Sequence, residues 1–124
     1  METEAKQLFK DASKKLDEAS NELYRPKEDV VSYLVCKNSQ YAIENYLKGF
    51  LLKNGLDPNK YETVDSLYKQ CIIINKDFEK VDLSTFNCKS QNMNTAYCDD
   101  VSKVSTCYNI ANSLDTFLRE QKII

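Results

Sequence analysis

The chain has 124 residues, 42% of them apolar and 29% charged, with a net charge of −2 and no histidine. That is the length of one domain with an ordinary globular composition; it excludes a disordered chain and leaves no electrostatic footprint for non-specific nucleic-acid binding. Two glycines and two prolines are too few for strands and tight turns, so a few long helices are expected.

Residues 3 to 23 place Ala5, Leu8, Phe9, Ala12, Leu16, Ala19 and Leu23 on one helical stripe. Lys6, Lys10, Lys14, Asp17 and Glu18 fall on the other faces, a mixed-charge pattern that reads as a solvated surface. Pro26, followed by Glu28 and Asp29, predicts the start of a second helix: proline suits the first helical position, and acidic residues suit the positive end of the dipole. That helix continues to Lys53, with Gly55 as its cap and Pro58 just beyond. It carries apolar residues on several sides, so it is expected to be the central rod of a bundle. Ala42 and Gly49 are small and two turns apart, which predicts a close helix crossing there.

A third helix is expected between Lys60 and Asn75, capped by Thr63, with Val64, Leu67, Tyr68, Cys71 and Ile72 on its inner face. The stretch KDFEKVDLSTF reads as a helical turn and then a loop, and NCKSQNMN as a polar connection. The last helix is predicted from Tyr97 to Gln121, with Val101, Val104, Tyr108, Ala111, Leu114 and Leu118 inward and Cys107, Ile110 and Phe117 beside them. The expected fold is all-α: one domain over residues 1–124, an antiparallel bundle of four main helices, with a short fifth near Phe78 to Phe86 left open.

The five cysteines (36, 71, 88, 98 and 107) show no CxxC spacing, and without histidine no zinc site is indicated. The opening METEAKQLFKD lacks the basic head and apolar run of a signal peptide, and no segment approaches the ~20 apolar residues of a membrane span. These features predict a cytoplasmic protein with reduced, free thiols and no membrane association.

The segment from Gln40 to Pro58 carries a more specific pattern. Gln40, Ala42, Glu44, Tyr46, Leu47, Lys48, Gly49, Leu51-Leu52, Gly55 and Pro58 resemble the motif of the HEPN domain, and Thr63 with Leu67 is similar to the opening of that family's next helix. The resemblance implies a helical bundle, frequently a homodimer. It also implies a metal-independent ribonuclease, including toxins of toxin–antitoxin pairs, or a module that partners a nucleotidyltransferase or binds a nucleotide. Nuclease members carry an arginine and, four to six residues on, a histidine near the start of the last helix. Here the only arginines are Arg25 and Arg119, and Ala96-Tyr97-Cys98 stands where many relatives read Arg-Tyr-Pro, so only Tyr97 matches. Cleavage through the RNA 2′-hydroxyl needs a base near neutral pKa and a cation on the phosphate. The base is missing.

Lys37, Gln40, Glu44 and Lys48 are spaced by three, four and four, so they share a helix face. Two cations and an amide on one face suit a nucleotide phosphate or an RNA backbone; a solvated Glu–Lys stripe is the alternative. Tyr97, Asp99, Asp100 and Lys103 open the last helix, where dipole capping competes with a ligand site. Ligand-binding candidates are therefore Lys37, Gln40, Glu44, Lys48, Tyr97 and Lys103, with no catalytic residue, metal or cofactor expected. The function expected is a non-catalytic module for a nucleotidyltransferase-type partner, nucleotide or RNA, in a toxin–antitoxin-like setting. A divergent ribonuclease using Lys48 or Glu44, and a helical scaffold without nucleotide affinity, are the alternatives.

Overall fold

A computed structural model describes residues 2–26, 32–81, 83 and 101–124. Four α-helices follow one another: α1 (Glu2–Leu23), α2 (Ser32–Lys53), α3 (Val64–Ile74) and α4 (Val101–Glu120). Two short 3-10 segments, Pro58–Lys60 and Lys76–Lys80, flank α3, and there is no strand among the described residues.

The stripe on α1 is a packing seam. Ala5, Phe9, Ala12, Leu16 and Ala19 are all buried, alternating steps of four and three along the helix. Three of them are alanines, which let the facing helix approach closely, while each buried Phe or Leu contributes about 1.5–3 kcal/mol. The facing helix is α2. Lys15 lies over the Tyr41 ring, Ser13 meets Tyr46, and the Phe9 ring covers Gly49, so the two helices run antiparallel. A Cβ built on Gly49 would sit 2.7 Å from Phe9 Cε1, which places the expected close crossing at this glycine.

Helix α2 is the central rod. It packs against α1, α3 and α4, and Val35, Cys36, Ile43, Tyr46, Leu47 and Leu51 are wholly buried along it. Tyr46 pairs with Asp115 and Lys53 with the Ile123 carbonyl, so α4 runs parallel to α2, as the second and fourth helices of an up-and-down bundle do. Phe78, from the second 3-10 segment, sits edge-on between Phe50 and Phe117 and closes the core between α2 and α4.

Helix termini follow the local chemistry. At the end of α2, Leu56 N–H bonds to Leu51 O and Gly55 N–H to Leu52 O, with Gly55 at φ 80°. This is a Schellman cap, and glycine carries the left-handed turn without a Cβ clash. Thr63 caps α3 in a reciprocal box with Ser66, and Asn75 both ends α3 and caps the next 3-10 segment through Asp77 N–H. The end of α4 repeats the Schellman pattern, with Ile123 N–H to Leu118 O and Lys122 N–H to Arg119 O, but here the left-handed residue is Lys122 at φ 58°.

Three expectations change. Pro26 is not helical and α2 is described from Ser32 onward, while residues 27–31, where the acidic first turn was expected, lie outside the described residues. The short fifth element is the 3-10 segment Lys76–Lys80, its further extent toward Phe86 again lying outside them. Cys36 and Cys107 are disulfide-bonded and only Cys71 among the described cysteines is a free thiol, so the expectation of five reduced thiols is overturned. Disulfide partners are set by distance in the fold, which sequence spacing does not report. A cytoplasmic location argued from free thiols loses that argument. Among the described residues no helix is long and apolar enough to cross a membrane.

Candidate binding site

The expected stripe on α2 does not converge. Lys37 is exposed and lines a shallow groove with Lys15, Glu22 and Arg25, while Lys48 is half-buried and lines a separate cleft with Glu4, Asn45 and Asp57. Eleven residues of helix separate the two lysines, about 16 Å along the axis. Gln40 and Glu44 are half-buried between them, and neither lines those openings. Tyr97 lies outside the described residues; Lys103 lies in α4, its side chain outside them.

A larger opening lies elsewhere. A cavity of about 710 Å³ lies between the first half of α1, the end of α2 and the C-terminal end of α4. Ala5, Phe9, Ile123 and Ile124 supply its apolar surface, and Lys6, Lys10, Lys53 and Arg119 bring four cations to its lining. No aspartate or glutamate side chain lines it. Lys53 Nζ donates to the Ile123 carbonyl at 2.9 Å, which ties the chain beyond α4 against α2 and holds the isoleucine wall in place.

A polar network anchors one edge. Tyr46 Oη donates to Asp115 Oδ1 at 2.5 Å, and Ser13 Oγ lies 3.1 Å from the same hydroxyl. The tyrosine proton is committed to the carboxylate, so the Ser13 hydroxyl is the donor of the second bond. Arg119 Nε meets both Asp115 oxygens at 3.1 and 3.0 Å, and its Nη2 donates to Ser13 Oγ at 3.3 Å. Residues of α1, α2 and α4 are thus locked together, and Arg119 is aimed rather than left to wave in solvent.

Burial, and then the hydrogen bond to Asp115, push the Tyr46 hydroxyl well above its ordinary value. The same carboxylate holds the Arg119 guanidinium charged. Tyr46 therefore stays a neutral donor and does not act as a base near neutral pH. The Cys71 thiol is pushed up to about 12 by burial, so it is not a nucleophile either. No cluster of metal-ligating side chains occurs among the described residues. What the cavity offers chemically is an apolar slot with a cationic lining.

The HEPN domain model matches residues 5–121. The chain belongs to the HEPN domain family. No curated protein and no solved structure matches it. The HEPN motif on α2 divides by side: Ala42, Tyr46 and Leu47 are fully buried, whereas Gln40, Glu44 and Lys48 are half-buried on the polar side. Part of the motif is therefore packing chemistry. The Tyr46 hydroxyl, Asp115 and Ser13 were not legible as a unit; the only trace in the sequence is the four-residue step from Asp115 to Arg119, a helical ion-pair spacing.

Proposed function

We propose that this HEPN domain is a non-catalytic binding module, and that its ligand is a nucleotide held in the cavity between α1 and α4. The observation that carries this is the lining: four cations, no acidic side chain, and Phe9 with two isoleucines beside them. Phosphate oxygens meet the lysines and the fixed arginine fork, and the base lies on the apolar wall. Catalysis is not part of the proposal, because the chain has no histidine and the buried Tyr46 hydroxyl keeps its proton.

A homodimer and a nucleotidyltransferase-type partner remain part of the proposal on the strength of family membership alone. Lys37, Gln40, Glu44, Lys48, Tyr97 and Lys103 are secondary candidates for the partner surface. Lys103 and Arg119 are sixteen residues apart on α4, about 24 Å, so the opening of that helix and the cavity serve different contacts.

Titration calorimetry with ATP, ADP and AMP tests the nucleotide reading. Expected is saturable binding that weakens as salt is raised and falls at least tenfold in Lys6→Glu/Lys10→Glu, two exposed positions whose loss leaves the core intact. Absence of binding at millimolar nucleotide, or equal binding by that variant, refutes it. Degradation of a mixed RNA pool by the purified protein would refute the non-catalytic half.

A further inference from the structure

Helix α1 has a second cleft on its other flank, facing the end of α2 and the Pro58–Lys60 segment. It holds about 420 Å³, and its lining includes Glu4, Leu8, Asn45, Lys48, Asp57 and Pro58. Its chemistry differs from that of the cationic cavity, because carboxylates and a cation occur together.

Asn45 is the unexplained residue. It is only 6% exposed, and its Nδ2 is shut from water with no hydrogen-bond partner. A helix end or turn would satisfy such an amide locally, but Asn45 sits in mid-helix, where every backbone group already has its partner. Buried donors without acceptors are expensive and uncommon, and they persist where something else supplies the acceptor. Three residues on, Lys48 shares its side of α2 and makes no ion pair among the described residues, and the same holds for Glu4 on α1. Asp57 uses one carboxylate oxygen on Asn59 N–H at 3.0 Å and keeps the other. Leu8, Leu52 and Pro58 give the cleft its apolar surface, and Gln7 and Asn59 complete the lining.

The geometry points to a binding site for a small zwitterion, a free aliphatic α-amino acid, in the cleft formed by Glu4, Leu8, Asn45, Lys48, Leu52 and Asp57. The ligand carboxylate takes the two donors of α2, Asn45 Nδ2 and the Lys48 ammonium. Because Nδ2 is sealed from the cleft, binding turns the amide over, which brings Nδ2 to the ligand and puts the carbonyl oxygen in its buried place. The ligand ammonium is met by Glu4 and Asp57, and its side chain lies on Leu8, Leu52 and Pro58. A polyphosphate is repelled by those two carboxylates, which separates this site from the nucleotide cavity.

The test follows the Asn45 side-chain amide in ¹⁵N spectra of the full chain during titration with L-leucine, leucinamide (no carboxylate) and N-acetyl-leucine (no ammonium). Saturable shifts of the Asn45 amide with leucine are expected, with affinity at least tenfold weaker for both blocked compounds. Lys48→Met and Glu4→Gln should each weaken leucine binding several-fold, whereas Lys6→Glu/Lys10→Glu should not. Asn45→Leu should abolish binding while raising Tm, because the unpartnered amide is gone. Shifts absent at millimolar leucine, equal binding of all three compounds, or an Asn45→Leu variant no more stable than the parent would each overturn the site. None of these outcomes bears on nucleotide binding, which is read on the other flank of α1.

Discussion

Replacing Gly49 with alanine sets two effects of opposite sign against each other. Alanine in a helix interior is favoured over glycine by about 0.8–1 kcal/mol, so on propensity alone the change stabilises α2. The new methyl, however, would stand 2.7, 2.9 and 3.2 Å from Cε1, Cδ1 and Cζ of Phe9. Three atoms of one buried ring cannot swing aside as a flexible chain end does; the ring must slide by roughly 1 Å to regain van der Waals distance, and overpacking of this kind costs ~1–3 kcal/mol. The net expectation is a loss of about 1 kcal/mol, near 4 °C in Tm for a domain of this size. Phe9 also lines the cationic cavity, so the displaced ring intrudes on the proposed nucleotide site and affinity should fall as well. Urea and thermal melts give the first quantity and calorimetry the second. Shortening the ring in Gly49→Ala/Phe9→Leu removes the collision and leaves the alanine preference, so the double variant should lose about 2 kcal/mol less than the sum of the single losses. Gly49→Ala as stable as the parent, or strict additivity in the double variant, would refute the close-crossing account.

Tyr46→Phe leaves Asp115 to Arg119 alone and should cost about 1–2 kcal/mol in urea unfolding. Because the folded-state hydroxyl titrates above its unfolded value of 10.0, the unfolded chain loses that proton first; the parent should lose stability as pH rises above 10, and the variant should lack this part of the decline. Cys71, raised from 9.0 to about 12 by burial, should react with iodoacetamide at pH 8 only at the rate of unfolding, and denaturant should release it. Reduction of the disulfides at Cys36 and Cys107 should lower stability by roughly 2–4 kcal/mol, read as a drop in Tm with added dithiothreitol. Lys122→Gly removes a left-handed lysine from the cap of α4 and should stabilise by up to about 1 kcal/mol, provided the cap geometry is retained.

The architecture was readable because its signals are local and repeated. Seven apolar positions on α1 fix a stripe, and five of them are buried; Thr63 and Gly55 cap where capping chemistry says they should. Gly49 with Ala42 even announced the close crossing, though not that Phe9 would fill it. The cavity was not readable, for a geometric reason. Lys6 and Lys10 on α1, Lys53 on α2 and Arg119 on α4 each lie on what a single-helix projection calls a solvated face, and only the packing of three helices makes those faces meet. Spacing misled in the opposite direction for Lys37 and Lys48. A shared helix face is a long strip, and two residues on it can open into different clefts. Disulfide pairing fails for a third reason, since it depends on distances that no intrachain count encodes.

The polar groups of α2 were the puzzle of the sequence, and they sort by whether folding satisfies them. The Tyr46 hydroxyl is buried with two partners and ties three helices, so its polarity serves the fold. Ser39 Oγ, Gln40 Oε1 and Asn45 Nδ2 are buried without a partner among the described residues, at a cost of about 1–3 kcal/mol for each group that stays unmet. A helix chosen only to pack would carry alanine, leucine or methionine at such positions and be more stable for it. Methionine at 40 or leucine at 45 should therefore raise Tm, and it is the loss accompanying that gain that identifies the partner. If Asn45→Leu gains stability and loses amino-acid binding, the amide belongs to the cleft of Glu4 and Lys48. If Gln40→Met gains stability and instead shifts the sedimentation of the protein, α2 meets another chain along that side. A gain with no loss at both positions would mean that neither polar group serves a ligand or partner, and would leave the cationic cavity as the one proposed working surface of this HEPN domain.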